Sequence, residues 1–470
     1  MEVALVVLYE LVKIMAMIHV LMDNRQPAKT MAWMLVIYFM PIIGLLFYFF
    51  FGLNTRRDRL MSERSLNQLT KRSMLEFVEQ RDLLVPDEHR LTVDLFVNQN
   101  FCLPFKDNAV RIFTDGHSFF SDLLHAIGTA RQSIHMDFYI FEDDPLGNLI
   151  ADVLIDKARE GVEVKLIYDD VGCWKVKRRF FERMRQDGIE AWPFMPVRFR
   201  SFTSKVNYRN HRKIVVVDGK VGYIGGMNVA LRYVKGIGGL PWRDTMVKIE
   251  GGGVYGLQRA FLVDWYFVDR TLISNRKYYP PQKAGEVNNC VAQTVTSTPV
   301  TPFPEIMQGL LGIIMRARKY IYIETPYFLP DEPILVALKT AAVAGVDVRI
   351  MVPKKCDAPF VHWAGKSYLA DIASVGVKVL YYTGGFLHSK IWVIDDSLAS
   401  CGSTNVDFRS FENNFEANIF FYDHDVALRF KAVFEEDEKL CYAYDVSNGK
   451  CRKFGVKLFE SLTRLLSPLF

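Results

Sequence analysis

Hydrophobic positions along this chain follow three different patterns. The first is an unbroken block. From Thr30 to Thr55 there is no Asp, Glu, Lys or Arg, and Met31 to Leu53 reads MAWMLVIYFMPIIGLLFYFFFGL. At 1.5 Å per residue this exceeds the roughly 20 residues needed to cross hydrocarbon, so the pattern predicts a membrane span over 31–53, with Pro41 and Gly44 tolerated inside it. The preceding stretch, 3–22, is also apolar but carries Glu10, Lys13 and His19. Glu10 and Lys13 stand at i,i+3 and can pair on one helical face. We read it as the first span of a transmembrane hairpin, with a helix lying in the interface as the alternative. The turn DNRQPAKT holds only Arg25 and Lys29, whereas Arg56, Arg57, Arg59, Arg64, Lys71 and Arg72 follow the second span. That bias predicts a multi-pass cell-membrane protein whose large C-terminal body faces the cytoplasm. Glu2 in place of a basic n-region, and no A-x-A-like site before Asp23, argue against a signal peptide.

The second pattern alternates amphipathic helices with short apolar strands, after a polar connecting region at 56–105. LLHAIGTAR, SIHMDFYIF, NLIADVLIDKAREG and VEVKLIYDD read helix, strand, helix, strand; IMQGLLGIIMRAR, KYIYIETPYF, ILVALKTAAVAG and VDVRIMVP repeat the order. Gly161-Val-Glu-Val-Lys165 matches Gly345-Val-Asp-Val-Arg349 in register. This βαβ rhythm predicts an α/β fold with mixed sheets, built as two tandem αβ repeats. The expected boundaries are a hairpin over 1–55, a first repeat over 106–287, a Pro/Thr-rich linker over 288–305 and a second repeat over 306–450. The third pattern is the tail, 451–470, a C-terminal amphipathic helix with Phe454, Leu458, Leu462 and Leu465 near one face. It either lies in a membrane interface or docks on the body.

Composition changes this picture little. With 470 residues, half of them hydrophobic and 13% aromatic, the chain cannot be a disordered protein. Its mean hydropathy of +0.07 is largely the work of the first 53 residues. A net charge of +5 is too mild to mark a nucleic-acid binder, and none is expected as a partner. Local charge says more. Lys175, Lys177, Arg178, Arg179, Arg183 and Arg185, then Arg198, Arg200, Lys205, Arg209 and Arg212, are interleaved with Trp174, Phe180, Phe181, Trp192, Phe194, Phe199 and Phe202. Such a surface suits anionic lipid headgroups, with single-stranded nucleic acid as the competing ligand. Seven scattered cysteines without a C-x-x-C pair imply reduced thiols rather than a disulfide frame or a zinc site.

The chemistry lies in two signatures. NHRKIVVVDGKVGYIGGMN contains His211, Lys213, Asp218, Gly225, Gly226 and Asn228; LHSKIWVIDDSLASCGSTN contains His388, Lys390, Asp395, Gly402, Ser403 and Asn405. Both read H-x-K-x4-D-x6-G-[GS]-x-N. On a strand, the imidazole and the ammonium of H-x-K project from one face. The Gly-[GS]-x-Asn that follows offers close backbone approach and a side-chain amide. Ammonium, amide and backbone donors suit the charge spread over phosphate oxygens. Two facing repeats would place two His, two Lys and two Asn around one phosphodiester, needing neither metal nor cofactor.

These signatures resemble those of the phospholipase D superfamily, and more narrowly of bacterial cardiolipin synthases. The N-R-Q-P-A-K-T turn, Trp242-Arg-Asp-Thr245 and Gly384-Gly-Phe-Leu-His-Ser-Lys390 carry the narrower likeness. It covers essentially the whole chain. Met246 departs from it, standing where His is expected. The resemblance implies two phospholipase D-like repeats sharing one active site, and a covalent mechanism. His211 would attack phosphorus and form a phosphatidyl-histidine. His388 would protonate the leaving alcohol and deprotonate the incoming one. Lys213, Lys390, Asn228 and Asn405 would stabilise the phosphorane, while Asp218 and Asp395, members of the catalytic signatures, would hold the loop after each strand. The repeats align Asp244 with Glu416, each an acid opening an apolar strand, and we expect Asp244 to orient His211 and Glu416 to orient His388. Gly226 aligns with Ser403, whose hydroxyl is expected to serve the phosphate on one side only.

Other chemistries lack their motifs. Ala364-Gly-Lys-Ser367 has Phe360 where a phosphate loop needs glycine, and there is no H-E-x-x-H or G-x-S-x-G. The expected reaction is phosphatidyl transfer from one phosphatidylglycerol to another, giving cardiolipin and glycerol, with phosphatidylglycerol and anionic lipids as partners. A membrane-anchored phosphodiesterase or nuclease is the enzymatic alternative, and a lipid-binding scaffold the non-enzymatic one.

Overall fold

The computed structural model describes residues 2–22, 27–52, 85–197, 207–273, 275–282, 290–445, 454–465 and 467. It divides into two units, one containing Met1–Leu60 with Val197–Tyr208 and Pro299–Pro302, the other the rest of the chain.

In the first unit, α1 (Glu2–Met22) is followed by α2 (Pro27–Phe39), α3 (Pro41–Phe47) and a π-helical turn at Tyr48–Gly52. The expected second span is therefore broken. Pro41 has no N–H to continue the ladder, so α2 stops at Phe39 and the helix restarts with Pro41 in its first turn. A Cβ on Gly44 would lie 2.9 Å from Ile37 Cα, so α3 packs closely against the last turns of α2. Among the described residues no helix is long and apolar enough to cross a membrane. The unit has a small core of Val20, Ile37 and Tyr48, packed by Ala16, Met17, Trp33 and Met34. Its outer surface is apolar, with Met15, Ile18, Leu21, Phe39, Ile42 and Leu46 all exposed. Glu10 and Lys13 pair at 2.6 Å. The cationic run from Arg56 to Arg72, with most of the connecting region, lies outside the described residues.

The second unit holds both repeats. In the first, β1 (Asn108–Phe113), β2 (Ser133–Phe138), β3 (Glu163–Asp169), β4 (Glu190–Phe194), β5 (Lys213–Val217), β6 (Val221–Gly225) and β7 (Met246–Gly251) form a sheet ordered β1-β7-β6-β5-β2-β3-β4. In the second, β8 (Val291–Ser297), β9 (Tyr320–Glu324), β10 (Asp347–Pro353), β11 (Lys378–Tyr382), β12 (Ile391–Ile394), β13 (Leu398–Gly402) and β14 (Asn414–Tyr422) repeat the order as β8-β14-β13-β12-β9-β10-β11. Pro104–Phe105 and β15 (Cys441–Ala443) extend its two edges. Both sheets are mixed, β2-β3-β4 and β9-β10-β11 being parallel. The expected linker departs from this in one respect. Its VAQTVTS segment is β8, because alternating β-branched residues suit a strand and β14 offers its edge.

Helices of the first repeat are α4 (Arg90–Asn100, packed on the second sheet), α5 (Gly116–Thr129), α6 (Pro145–Arg159), α7 (Arg178–Gln186) and α8 (Val254–Asp269); those of the second are α9 (Glu305–Ile314), α10 (Glu332–Val343), α11 (Pro359–Ala373) and α12 (His424–Glu438). Their ends are written locally. Asp115, Asp144 and Asp423 cap α5, α6 and α12 by accepting the N–H of Ser118, Gly147 and Val426. The matched glycines end α6 and α10 alike. Gly161 at φ +90° and Gly345 at φ +96° turn the chain, and Val162 and Val346 donate back to Lys157 and Ala341.

Period-2 alternation then assigns each strand face. On β5, Val215 and Val217 join the helix-covered core of the first repeat, while Ile214 and Val216 point into a seam between the sheets. On β12, Trp392 and Ile394 join the second repeat's core, and Ile391 and Val393 meet the same seam. The body is thus two sheets face to face, with α8 and α12 packed into the seam. The tail helix α13 (Phe454–Leu465) packs on α11, with Phe459 against Trp363 and Arg464 bonded to Asp371. Phe454, Leu458, Leu462 and Leu465 remain exposed. The six described cysteines are free thiols.

Candidate active site

Each signature begins where the chain leaves its own repeat and touches the other. Arg209–Asn210 pair in parallel with Asn414–Phe415, and Phe386–Leu387 with Trp242–Arg243. His211 N–H donates to Phe415 O at 2.9 Å, and His388 N–H to Arg243 O at 2.7 Å. The next residue along each partner strand is an acid. His211 Nδ1 meets Glu416 Oε1 at 3.0 Å, and His388 Nδ1 meets Asp244 Oδ2 at 2.7 Å. The expected pairing is therefore reversed. Asp244 and Glu416 are equivalent in register, but each carboxylate serves the histidine of the opposite repeat because the short parallel bridges cross between repeats.

Both acids are fully buried and firmly held. Glu416 accepts from Asn414 Nδ2 at 3.1 Å and from Ser403 Oγ at 2.5 Å. Asp244 accepts from the Thr245 N–H at 2.8 Å. Ser403 thus braces a carboxylate instead of reaching for phosphate, the role expected of it. Its counterpart Gly226 makes room for one, since a Cβ there would stand 2.0 Å from Asp244 Oδ1. Burial alone would raise both acids. Lys390 and His388 hold Asp244 below the ordinary carboxylate range, and His211 and Lys213 do so for Glu416.

The bases respond in the opposite sense. Burial pulls His211 down to about 4, with Glu416 opposing and Lys213 and Lys390 adding to the fall. Burial likewise pulls His388 to about 4, with Lys390 and Lys213 adding and Asp244 opposing. Each histidine therefore feels the lysine of both repeats, as members of one site must. Burial lowers Lys213 to about 7 against the pull of Glu416, and Lys390 is lowered by the same cause. Both ammonium groups also donate to the carbonyl of the histidine two residues before.

Asp218 and Asp395 do not join this centre. Asp218 accepts the N–H groups of Arg131, Gln132 and Ser133 at 2.7–2.9 Å by its nearer oxygens. Asp395 does the same for Arg318, Lys319 and Tyr320 at 2.6–2.8 Å. Both fasten the start of the neighbouring strand, whereas the expectation was the loop after their own. Asn228 Oδ1 accepts from the Ile140 N–H at 3.0 Å and its Nδ2 donates to Tyr233 Oη at 2.7 Å, which leaves one amide hydrogen for a ligand. Asn405 is buried, its N–H bonded to Ser410 Oγ.

Several supporting residues lie outside the fixed positions of the two signatures. Arg212, between His211 and Lys213, is buried, donates to Glu416 O at 3.0 Å and pairs with Asp264. Arg243 donates to Asp437 at 2.8 Å and to Thr245 Oγ1 at 2.9 Å, and Thr245 in turn meets Ser389 at 2.8 Å. Charged residues beside two buried signature strands were the available signal. Aromatic rings wall the histidines: Tyr139 edges His211 at 5.1 Å, and Trp242 lies 5.4 Å from His388. Met246 is buried opposite Gly225 at the start of β7. Of the second basic cluster, Arg209 and Arg212 are buried in ion pairs, and Arg198, Arg200 and Lys205 lie outside the described residues. No group of His, Cys, Asp and Glu suited to a metal ion occurs among the described residues.

A family model described as cardiolipin synthase, phospholipase D-like domain, matches residues 123–238 and 310–438, one copy for each signature. The chain belongs to this family of cardiolipin synthases. A phospholipase D-nuclease N-terminal model matches residues 11–52. A cardiolipin synthase of Oceanobacillus iheyensis is 38% identical over 96% of this chain and 95% of its own. The major cardiolipin synthase of Bacillus subtilis is 36% identical over 97% and 96%. Among solved structures, phosphatidylserine synthase of Haemophilus influenzae covers 81% of this chain and 98% of its own, with a TM-score of 0.62 and 16% identity, a likeness of fold.

Proposed function

We propose that this chain is a phosphatidyltransferase that moves the phosphatidyl group of one phosphatidylglycerol onto another, giving cardiolipin and glycerol. The observation that carries the reading is the pair of histidines, each with Nδ1 on a buried carboxylate from the opposite repeat and both within the field of the same two lysines. A carboxylate on Nδ1 fixes the tautomer and leaves Nε2 free to act. Held neutral by its surroundings, His211 attacks phosphorus through Nε2, and the bond from phosphorus to the glycerol oxygen breaks. The anionic phosphodiester offsets the two lysines and so raises His388, which gives its proton to the departing glycerol oxygen. The hydroxyl of the second phosphatidylglycerol then returns a proton to His388 as its oxygen attacks phosphorus and releases His211. Lys213, Lys390 and the remaining amide hydrogens stabilise the phosphorane.

The apolar outer surface of the N-terminal unit supports a place in the cell membrane, as a multi-pass hairpin whose kinked second arm is buried in lipid. The cationic run after residue 55 supports a body facing the cytoplasm. Incubating the purified full chain with phosphatidylglycerol in detergent tests the reaction. Cardiolipin with one glycerol per turnover is the expected outcome, with phosphate label trapped on His211. Phosphatidic acid as the product makes the chain a phosphodiesterase, and label on His388 in wild type reverses the assignment of nucleophile.

A further inference from the structure

Beyond the catalytic residues, one surface feature is fastened directly to them. β3 ends at Asp169, whose Oδ1 accepts the N–H groups of Val171 and Gly172 at 2.9 Å, while its Oδ2 accepts the N–H of Asn210 at 3.0 Å. One buried carboxylate thus ties the loop after β3 to the residue before His211. The loop also rests on Tyr139. A Cβ on Gly172 would stand 2.1 Å from Tyr139 O, and Cys173 Sγ lies between the carbonyls of Tyr139 and Phe141. Tyr139 is the ring that edges His211.

The outward side of this loop has a different character. Trp174 is 78% exposed. From Trp174 to Phe181 the sequence WKVKRRFF holds four cations and no acid. Lys175, Lys177, Arg178 and Arg179 are exposed, whereas Phe180 and Phe181 are buried and fix α7 to the core, with Phe181 stacked on Tyr168 at 3.6 Å. Arg178 and Arg179 are therefore presented by a rigid mount, with Lys175 and Lys177 in the loop that leads into it. Of the described aromatic residues interleaved with the cluster, Phe180, Phe181 and Phe194 belong to the core and Trp192 is partly exposed on β4, so Trp174 is the ring presented furthest to an interface.

We propose that Trp174 with Lys175, Lys177, Arg178 and Arg179 forms a docking surface for an anionic bilayer, which seats the catalytic centre against the lipid headgroups. This rests on the phosphatidyl-transfer reading and adds to it the face by which the body meets its substrate. Each cation near an anionic membrane surface favours binding on the order of fivefold, and the indole anchors at headgroup level.

The test uses the full chain with phosphatidylglycerol in two forms, vesicles and detergent micelles. Trp174→Ala and the double variant Lys175→Glu/Lys177→Glu are expected to lower turnover on vesicles about tenfold and to leave turnover in micelles within about twofold. Rising salt should slow the wild type on vesicles and leave the charge-reversed variant unchanged. Independently of turnover, phosphatidylglycerol with brominated chains should quench wild-type tryptophan emission more than that of Trp174→Phe. Unchanged vesicle turnover, an equal loss in micelles, or equal quenching in both proteins overturns the proposal. So does loss of oligonucleotide binding in the charge-reversed variant with vesicle turnover intact, which assigns the surface to nucleic acid. Wild type that makes no cardiolipin in micelles while Trp174 is quenched refutes the reaction and not the docking surface.

Discussion

The charge of Lys213 depends on the surroundings of the site. Burial brings its pKa to about 7, yet the ammonium is needed to hold an anionic phosphodiester. A bound anion favours the charged form, so binding above pH 7 must take up a proton. Above about pH 7 the loss of this proton weakens affinity for a phosphatidylglycerol headgroup analogue by about tenfold per pH unit, until the raised pKa of the complex is passed. Titration calorimetry in two buffers reads that proton, and Lys213→Arg, which stays charged, should flatten the profile. The two carboxylates are told apart by their effects on the labelled intermediate. Glu416→Gln should lower formation of the labelled histidine intermediate by about 10²–10⁴-fold, because it leaves His211 without its orienting partner. Asp244→Asn weakens His388, so turnover falls while the intermediate, once formed, persists. An intermediate that persists in Glu416→Gln and never forms in Asp244→Asn would show the opposite division of labour.

At the scale of elements, much of this site follows from where strands end. The G-[GS] step closing β6 and β13 lies beside the orienting acids, so Gly226→Ala drives a methyl into Asp244. We expect at least a hundredfold loss of turnover with the circular dichroism of the folded protein retained; Ser403→Ala, which removes one hydrogen bond to Glu416, should cost about tenfold. Asp218 and Asp395 act on stability instead. Asp395→Ala strips an acceptor from three backbone N–H groups and should cost about 1–3 kcal/mol of unfolding free energy, read in denaturant, with KM unchanged. The sequence made the helices, the strands, the two signatures and the register match of Asp244 with Glu416 legible, because periodicity, caps and spacing are local. It did not show which histidine each acid serves. That is decided by two parallel bridges of two residues each, too short to leave a periodic signal, between segments far apart in the chain. The break at Pro41 is not legible in hydropathy, which sums over a window and does not see a missing N–H.

At the scale of the whole molecule, the repeats are two in sequence and one in structure. The crossing bridges leave each histidine without its acid if the repeats separate, and the seam between the sheets has no complete version in either half. Ile214 and Val216 from the first repeat and Ile391 and Val393 from the second are all fully buried there. Exposing such a face on either half alone would lose about 25 cal/mol for each Å² of apolar surface returned to water. The body should therefore unfold as one cooperative unit, although its length and repeat suggest two. Trp265 on α8 and Trp392 on β12 are buried reporters, one in each repeat. Ile391→Ala removes seam contacts supplied by the second repeat and should cost about 2–5 kcal/mol. In proteins that keep only Trp265 or only Trp392, the other six tryptophans being replaced by Phe, that substitution should shift both fluorescence transitions to the same lower denaturant concentration. A Trp265 transition that stays in place while the Trp392 transition moves would mean that the repeats fold independently. The crossed pairing of acids and histidines would then have to be assembled after folding, not by it.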